Sequence, residues 1–124
     1  MKKILIAEDD TFLASAYKLK FSKSDFEVKI ASDGQEAIDI LQEFTPDMIL
    51  LDLIMPKMDG FAVLDVVKKS EKWKNIPIIV TTNLGQQEDI DKAIRLGAND
   101  YVIKSDISID GLVLKINGLI SPNA

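Results

Sequence analysis

The sequence predicts an α/β fold in which a βα unit repeats five times around a parallel sheet, with helices on both faces. Three observations carry this. Short apolar runs alternate with stretches of helical periodicity. Four of the five runs are continuous rather than alternating, as strands buried on both faces are. Each of those four stops at polar residues that would stand together at one end of the sheet.

The elements follow in order. Ile4 to Ala7 is the first run, and it stops at Glu8-Asp9-Asp10. Leu13, Tyr17 and Phe21 recur at four-residue spacing beside Ala16, an amphipathic helix. Phe26, Val28 and Ile30 alternate with charged residues, which marks a half-exposed edge strand. Asp33 and Glu36 stand at capping-box spacing before a helix that turns Ala37, Ile38, Leu41 and Phe44 inward and ends before Pro46. Met48 to Leu51 is the next run, stopped by Asp52. Pro56 and Gly60 punctuate a loop ahead of a helix with Phe61, Leu64 and Val67 on one side. Ile76 to Val80 stops at Thr81-Thr82-Asn83. Ile90, Ala93 and Ile94 form a short helical face closed by Gly97. Tyr101 to Ile103 stops at Lys104, and the last helix points Leu112, Val113, Ile116 and Ile120 inward. Gly111 and Gly118 weaken that helix, each by about 1 kcal/mol relative to Ala. Residues 1–120 read as one domain and 121–124 as a fraying tail.

Composition narrows the chemistry. The 124 residues include no cysteine and no histidine. That excludes a Ser-His-Asp triad, an imidazole base, a thiolate nucleophile and a zinc cage. A metal bound here would be hard and oxygen-liganded: Mg²⁺, Mn²⁺ or Ca²⁺. The net charge is −5 and the only arginine is Arg95, so direct nucleic-acid binding is not expected. No apolar run approaches membrane-spanning length, and Lys2-Lys3 are followed by too short an apolar stretch for a signal peptide. A cytoplasmic protein without membrane contact is expected.

Taken singly, each acid at a strand end reads as a helix cap or a solvated loop residue, Asp10 and Asp59 included. Lys104 alone reads as surface charge. Together, Glu8, Asp9, Asp10, Asp52, Thr81, Thr82 and Lys104 gather at one rim of a parallel sheet. Crowded carboxylates favour protonation unless a cation joins them, and a lysine with a divalent metal would neutralise such a cluster. Asp89-x-Asp91, Lys68-Lys69 and Lys72 to Lys74 read as solvated helix surface, and Trp73 as packing.

These residues resemble the receiver domain of two-component response regulators. The resemblance covers essentially the whole chain. It rests on ILIAEDD (Ile4 to Asp10), DGQEAI (Asp33 to Ile38), PDMILLDLIMPKMDG (Pro46 to Gly60), PIIVTT (Pro77 to Thr82) and GANDYVIK (Gly97 to Lys104). It implies a flavodoxin-like (βα)5 fold with strand order 2-1-3-4-5. Asp52 matches the aspartate that accepts a phosphoryl group from a histidine kinase or histidine phosphotransfer protein. Asp9 matches the direct Mg²⁺ ligand (Mn²⁺ serving as well), Glu8 its water-bridged partner acid, and Ile54 the residue whose backbone carbonyl joins them. Thr82 matches the switch hydroxyl, Lys104 the lysine that contacts a phosphoryl oxygen, and Tyr101 the aromatic whose rotamer follows the state. The family is not an enzyme in the ordinary sense; it catalyses its own phosphorylation and slow dephosphorylation.

Departures are informative. Ser105 stands where the family usually has proline, which leaves the geometry of the Lys104–Ser105 bond open. Asn83 is bulkier than the usual Ala or Gly, and Ile54 and Leu84 are apolar at positions often polar. An apolar pair flanking Asp52 would exclude the attacking water and lengthen the life of an acyl phosphate. A flavodoxin-type carrier lacks support, because no Ser/Thr/Gly-rich loop follows the first strand. A haloacid-dehalogenase phosphatase would need a second acid where Ile54 stands. The alternative from another class is a receiver-like module that binds proteins without phosphorylation. With Arg95 alone to form Arg–acid pairs, a monomer or weak dimer is expected.

Overall fold

The computed structural model describes residues 1–120; the expected tail, 121–124, lies outside the described residues. Five strands and five helices alternate. They are β1 (Lys2–Ala7), α1 (Thr11–Lys23), β2 (Phe26–Ala31), α2 (Gly34–Leu41), β3 (Met48–Leu51), α3 (Gly60–Lys69), β4 (Ile78–Thr82), α4 (Gln87–Arg95), β5 (Asp100–Ile103) and α5 (Ile109–Leu119), with a 3₁₀ turn at Lys104–Asp106. All strand pairings are parallel, in the order β2-β1-β3-β4-β5.

Two cores lie on opposite faces. Strand side chains alternate between faces, so Leu5, Ala7, Ile49, Leu51, Ile78 and Val80 pack with α2, α3 and α4. Ile4, Ile6, Met48, Leu50, Ile79 and Val102 pack with Tyr17 and Phe21 of α1 and Leu112, Val113 and Ile116 of α5. Edge strand β2 alternates as its sequence does, with Glu27 and Lys29 exposed.

Side-chain caps start four of the helices: Asp10, Asp33, Asp59 and Ser108 accept the amide three residues on. Helix α4 has no side-chain cap and buries only Ala93. Lys92 of α4 lies over the Phe61 ring of α3 at 4.3 Å.

The structure adjusts several expectations. Ala14, rather than Ala16, is buried in α1. Phe44 is buried from a turn beyond the end of α2. Ile76 is buried ahead of β4, which extends through both threonines. Ile120 caps α5 and packs only partly. Two glycines at helix starts allow close backbone approach: a Cβ on Gly34 would collide with the Met58 carbonyl, and one on Gly60 with that of Asp52. Among the described residues nothing lies within 4 Å of a Cβ on Gly118.

Candidate functional site

The ends of β1, β3 and β5 carry Glu8, Asp52 and Lys104 onto the α1/α5 face. The parity follows from the alternation: Ile4 and Ile6 precede Glu8, Met48 and Leu50 precede Asp52, and Val102 precedes Lys104, all on that face. Glu8 is 2% exposed and Asp52 5%. Lys104 Nζ lies 2.6 Å from Glu8 Oε1 and 2.9 Å from Asp52 Oδ2. Burial pushes the Glu8 carboxyl up, and Lys104 and the Asp10 amide only partly offset this. Burial pulls the Lys104 ammonium down, but the two carboxylates outweigh it and its net direction is up.

Asp9, exposed in the loop after β1, completes an acidic group with Glu8 and Asp52. One carboxylate oxygen from each lies within 4.8 Å of the others. Three convergent carboxylates, two of them buried, fit a hard divalent cation. Asp10 is not in this group; its side chain caps α1 by accepting the Leu13 amide at 3.1 Å. Asp59 likewise caps α3. Ile54 donates its amide to Asp52 Oδ1 at 3.3 Å, and its side chain is 58% exposed at the rim.

Thr82 and Tyr101 belong to the other face. Thr82 is fully buried, and its Oγ1 accepts the Leu84 amide at 3.5 Å. The Tyr101 hydroxyl donates to the Leu84 carbonyl at 2.7 Å. Burial pushes that hydroxyl up, with smaller contributions from Asp89 and Asp52. Leu84 therefore joins Thr82 to Tyr101, and its side chain packs on the α2/α3/α4 core. The expected apolar gate is thus divided: Ile54 is at the rim, whereas Leu84 is committed to the opposite core.

Lys68 is also more than solvated helix surface. Its ammonium donates to the carbonyls of Lys74 (3.3 Å) and Ile76 (2.8 Å) and to Asn99 Oδ1 (3.2 Å). Its stem fills the space where a Cβ on Gly97 would lie, and Gly97 has φ +110°. Trp73 is buried, as packing requires. The Lys104–Ser105 peptide is trans and opens the 3₁₀ turn.

Two residues beside the acids have no role assigned from the sequence. Thr81, named only as part of the rim, is buried on the charged face. Tyr17, read as plain core, turns its hydroxyl toward Thr81 within reach of the charges of Lys104, Glu8 and Asp52. The available signal is Thr-Thr ending a buried strand, where one hydroxyl must face each way.

Comparison with known proteins adds an independent line. The family model for the response regulator receiver domain matches residues 4–117. The probable transcriptional regulator ycf27 of Guillardia theta is 36% identical over 103 residues, 83% of this chain and 39% of that protein. The DNA-binding dual master transcriptional regulator RpaA of Synechocystis is 30% identical over 120 residues, 97% of this chain and 49% of that protein. The chain spans less than half the length of these two relatives. Among solved structures, the Francisella response regulator 1452 receiver domain superposes with TM-score 0.87 at 31% identity, covering 100% of both chains. The Mn²⁺-bound form of response regulator Rcp1 gives 0.83 at 33% identity, covering 95% of this chain and 93% of that one.

Proposed function

The chain belongs to the response regulator receiver domain family, and from that premise we propose that Asp52 accepts a phosphoryl group from a phosphohistidine on a sensor kinase or phosphotransfer protein. The observation that carries this is the bridge of Lys104 across buried Glu8 and Asp52, with Asp9 alongside. In the transfer, an Asp52 carboxylate oxygen forms the new P–O bond and the donor's P–N bond breaks. The imidazole leaves with the bonding pair and takes a proton. Lys104 supplies positive charge to the phosphoryl oxygens. Such chemistry needs in-line placement and charge neutralisation more than acid–base help, so the missing histidine is no handicap. Glu8, Asp9 and Asp52 with the Ile54 carbonyl would hold Mg²⁺ or Mn²⁺; when bound, the ion supplies further charge to the phosphoryl oxygens.

Phosphorylation adds up to about two negative charges beside Lys104. Thr82 then exchanges its loop amide for a phosphoryl oxygen, and the Leu84–Tyr101 contact is released or remade. The output is a changed protein-binding surface near α4, in a cytoplasmic module formed by residues 1–120.

The test is intact-mass spectrometry after treatment with acetyl phosphate and Mg²⁺. The wild type is expected to gain the mass of one phosphoryl group, while Asp52→Ala and chelator-treated wild type gain nothing. An adduct that persists in Asp52→Ala overturns the assignment. A folded wild type that is never labelled supports the phosphorylation-independent alternative.

A further inference from the structure

The proposed transfer leaves two residues of the charged face without a task. The β1–β3 register ends at Ala7↔Leu51 and the β3–β4 register at Leu51↔Val80. Continued by one residue, the row across the sheet runs Glu8, Asp52, Thr81. Thr81 pairs with Val102, two residues before Lys104 on the same face. Thr81 is therefore the lateral neighbour of Asp52 and the diagonal neighbour of Lys104.

The Thr81 hydroxyl is fully enclosed and has no hydrogen-bond partner among the described residues. On its inner side lies the apolar core of this face, with Ile79 and Val102 nearby. A buried hydroxyl with unused bonding capacity costs free energy, and valine would fill the same space without that cost. Tyr17 approaches from α1, buried in that core with its hydroxyl directed at Thr81. Burial pushes the Tyr17 hydroxyl up, which keeps it a donor. Thr81 Oγ1 has two lone pairs, and neither is engaged in the structure. Lys104 has three N–H donors, of which Glu8 and Asp52 engage two.

We propose that Thr81 is a positioning residue whose hydroxyl, unpartnered in the structure, is the acceptor poised for the third N–H of Lys104, so that the ammonium is held beside Asp52. The inference rests on the phosphoacceptor reading for its purpose, but its physical content is a contact with Lys104 that can be measured without phosphorylation.

The variants are Thr81→Val, Thr81→Ser and Tyr17→Phe. The first readout is exchange of the Lys104 ammonium protons with water, followed by ¹⁵N NMR with and without Mg²⁺. Thr81→Val is expected to speed exchange roughly fivefold, the loss of one ordinary hydrogen bond. Thr81→Ser should restore the wild-type rate, and Tyr17→Phe should fall between. The second readout is phosphoryl incorporation from acetyl phosphate, expected to slow several-fold in Thr81→Val and to recover in Thr81→Ser. A Thr81→Val protein that is merely more heat-stable, with Lys104 exchange unchanged, overturns the proposal. If the wild type takes up no phosphoryl group, the phosphoacceptor reading fails, while the exchange rates still decide whether Thr81 holds Lys104.

Discussion

Thr81 and Thr82 are consecutive residues of β4, yet they stand in different chemical surroundings. Thr81 lies in the charged layer with Glu8, Asp52 and Lys104, beneath Tyr17 of α1. Thr82 lies in a layer of neutral groups, joined through Leu84 to Tyr101 and the α4 side of the sheet. The charged face has buried ions held by strong, short contacts. The neutral face has hydroxyl-to-backbone bonds and the least anchored helix of the five, with no side-chain cap and one buried residue. On the proposed function, a charge change at Asp52 would be made on the firm face and read on the loose one, with the thickness of one strand between them. That division suits a switch, because a ligand shifts a two-state element only through contacts that differ between its states.

The largest expected effect comes from breaking the charged face. Lys104→Met strands two buried carboxylates and should cost roughly 3 kcal/mol in metal-free buffer, measured by urea denaturation. Added Mg²⁺ should recover much of it, and should raise the midpoint more in this variant than in the wild type. A loss that Mg²⁺ leaves untouched would mean that Lys104 is structural rather than a partner in a cation site.

Next comes pH. Burial raises the Glu8 carboxyl above its ordinary 4.5. The folded state therefore keeps a proton that the unfolded state has released. Stability is fully present below that ordinary value and is lost as pH rises through the folded one. Metal-free wild type should lose stability as pH rises from about 4.5 through the folded Glu8 value, and Glu8→Gln should lose less. Equal slopes would remove Glu8 from the account.

On the neutral face the effects are smaller. Tyr101→Phe gives up the bond to the Leu84 carbonyl and should cost about 1 kcal/mol. Thr82→Ala should still accept a phosphoryl group but should lose most of the phosphorylation-induced NMR shift at Tyr101. A full shift in Thr82→Ala would show that the faces communicate by another route.

The smallest difference separates the two halves of the divided gate. With Ile54 at the rim and Leu84 in the opposite core, Ile54→Asn should speed decay of the phosphorylated protein by roughly the few-fold that orienting one water permits. Leu84→Asn should leave decay nearly unchanged. Decay kinetics of the two variants side by side test this, and equal acceleration would restore Leu84 to the approach path.

Much of this is legible in the residues. The continuous runs reveal their strands, and the acids and Lys104 at the run ends converge as the topology requires. What stays hidden has a physical reason in each case. A strand buried on both faces carries no alternation to show which side chain faces which way, so Thr81 and Thr82 look equivalent and Tyr17 looks like core. Lys68 looks solvated because two of its three oxygen partners are backbone carbonyls of a turn, which have no sequence signature. Spacing from Thr82 puts Leu84 on the rim, but the loop folds its side chain onto the far core. Asp10 and Asp59 are ambiguous because a carboxylate at a helix start serves as cap or ligand with the same spacing.

The open position at Gly118 has a practical corollary. Among the described residues nothing lies within 4 Å of where a side chain would begin on the outer surface of α5, and the chain contains no cysteine. A thiol introduced there would be unique, and a fluorophore or spin label could be attached without disturbing a native partner. From that vantage, distances to a second probe on α4 would follow the switch one molecule at a time.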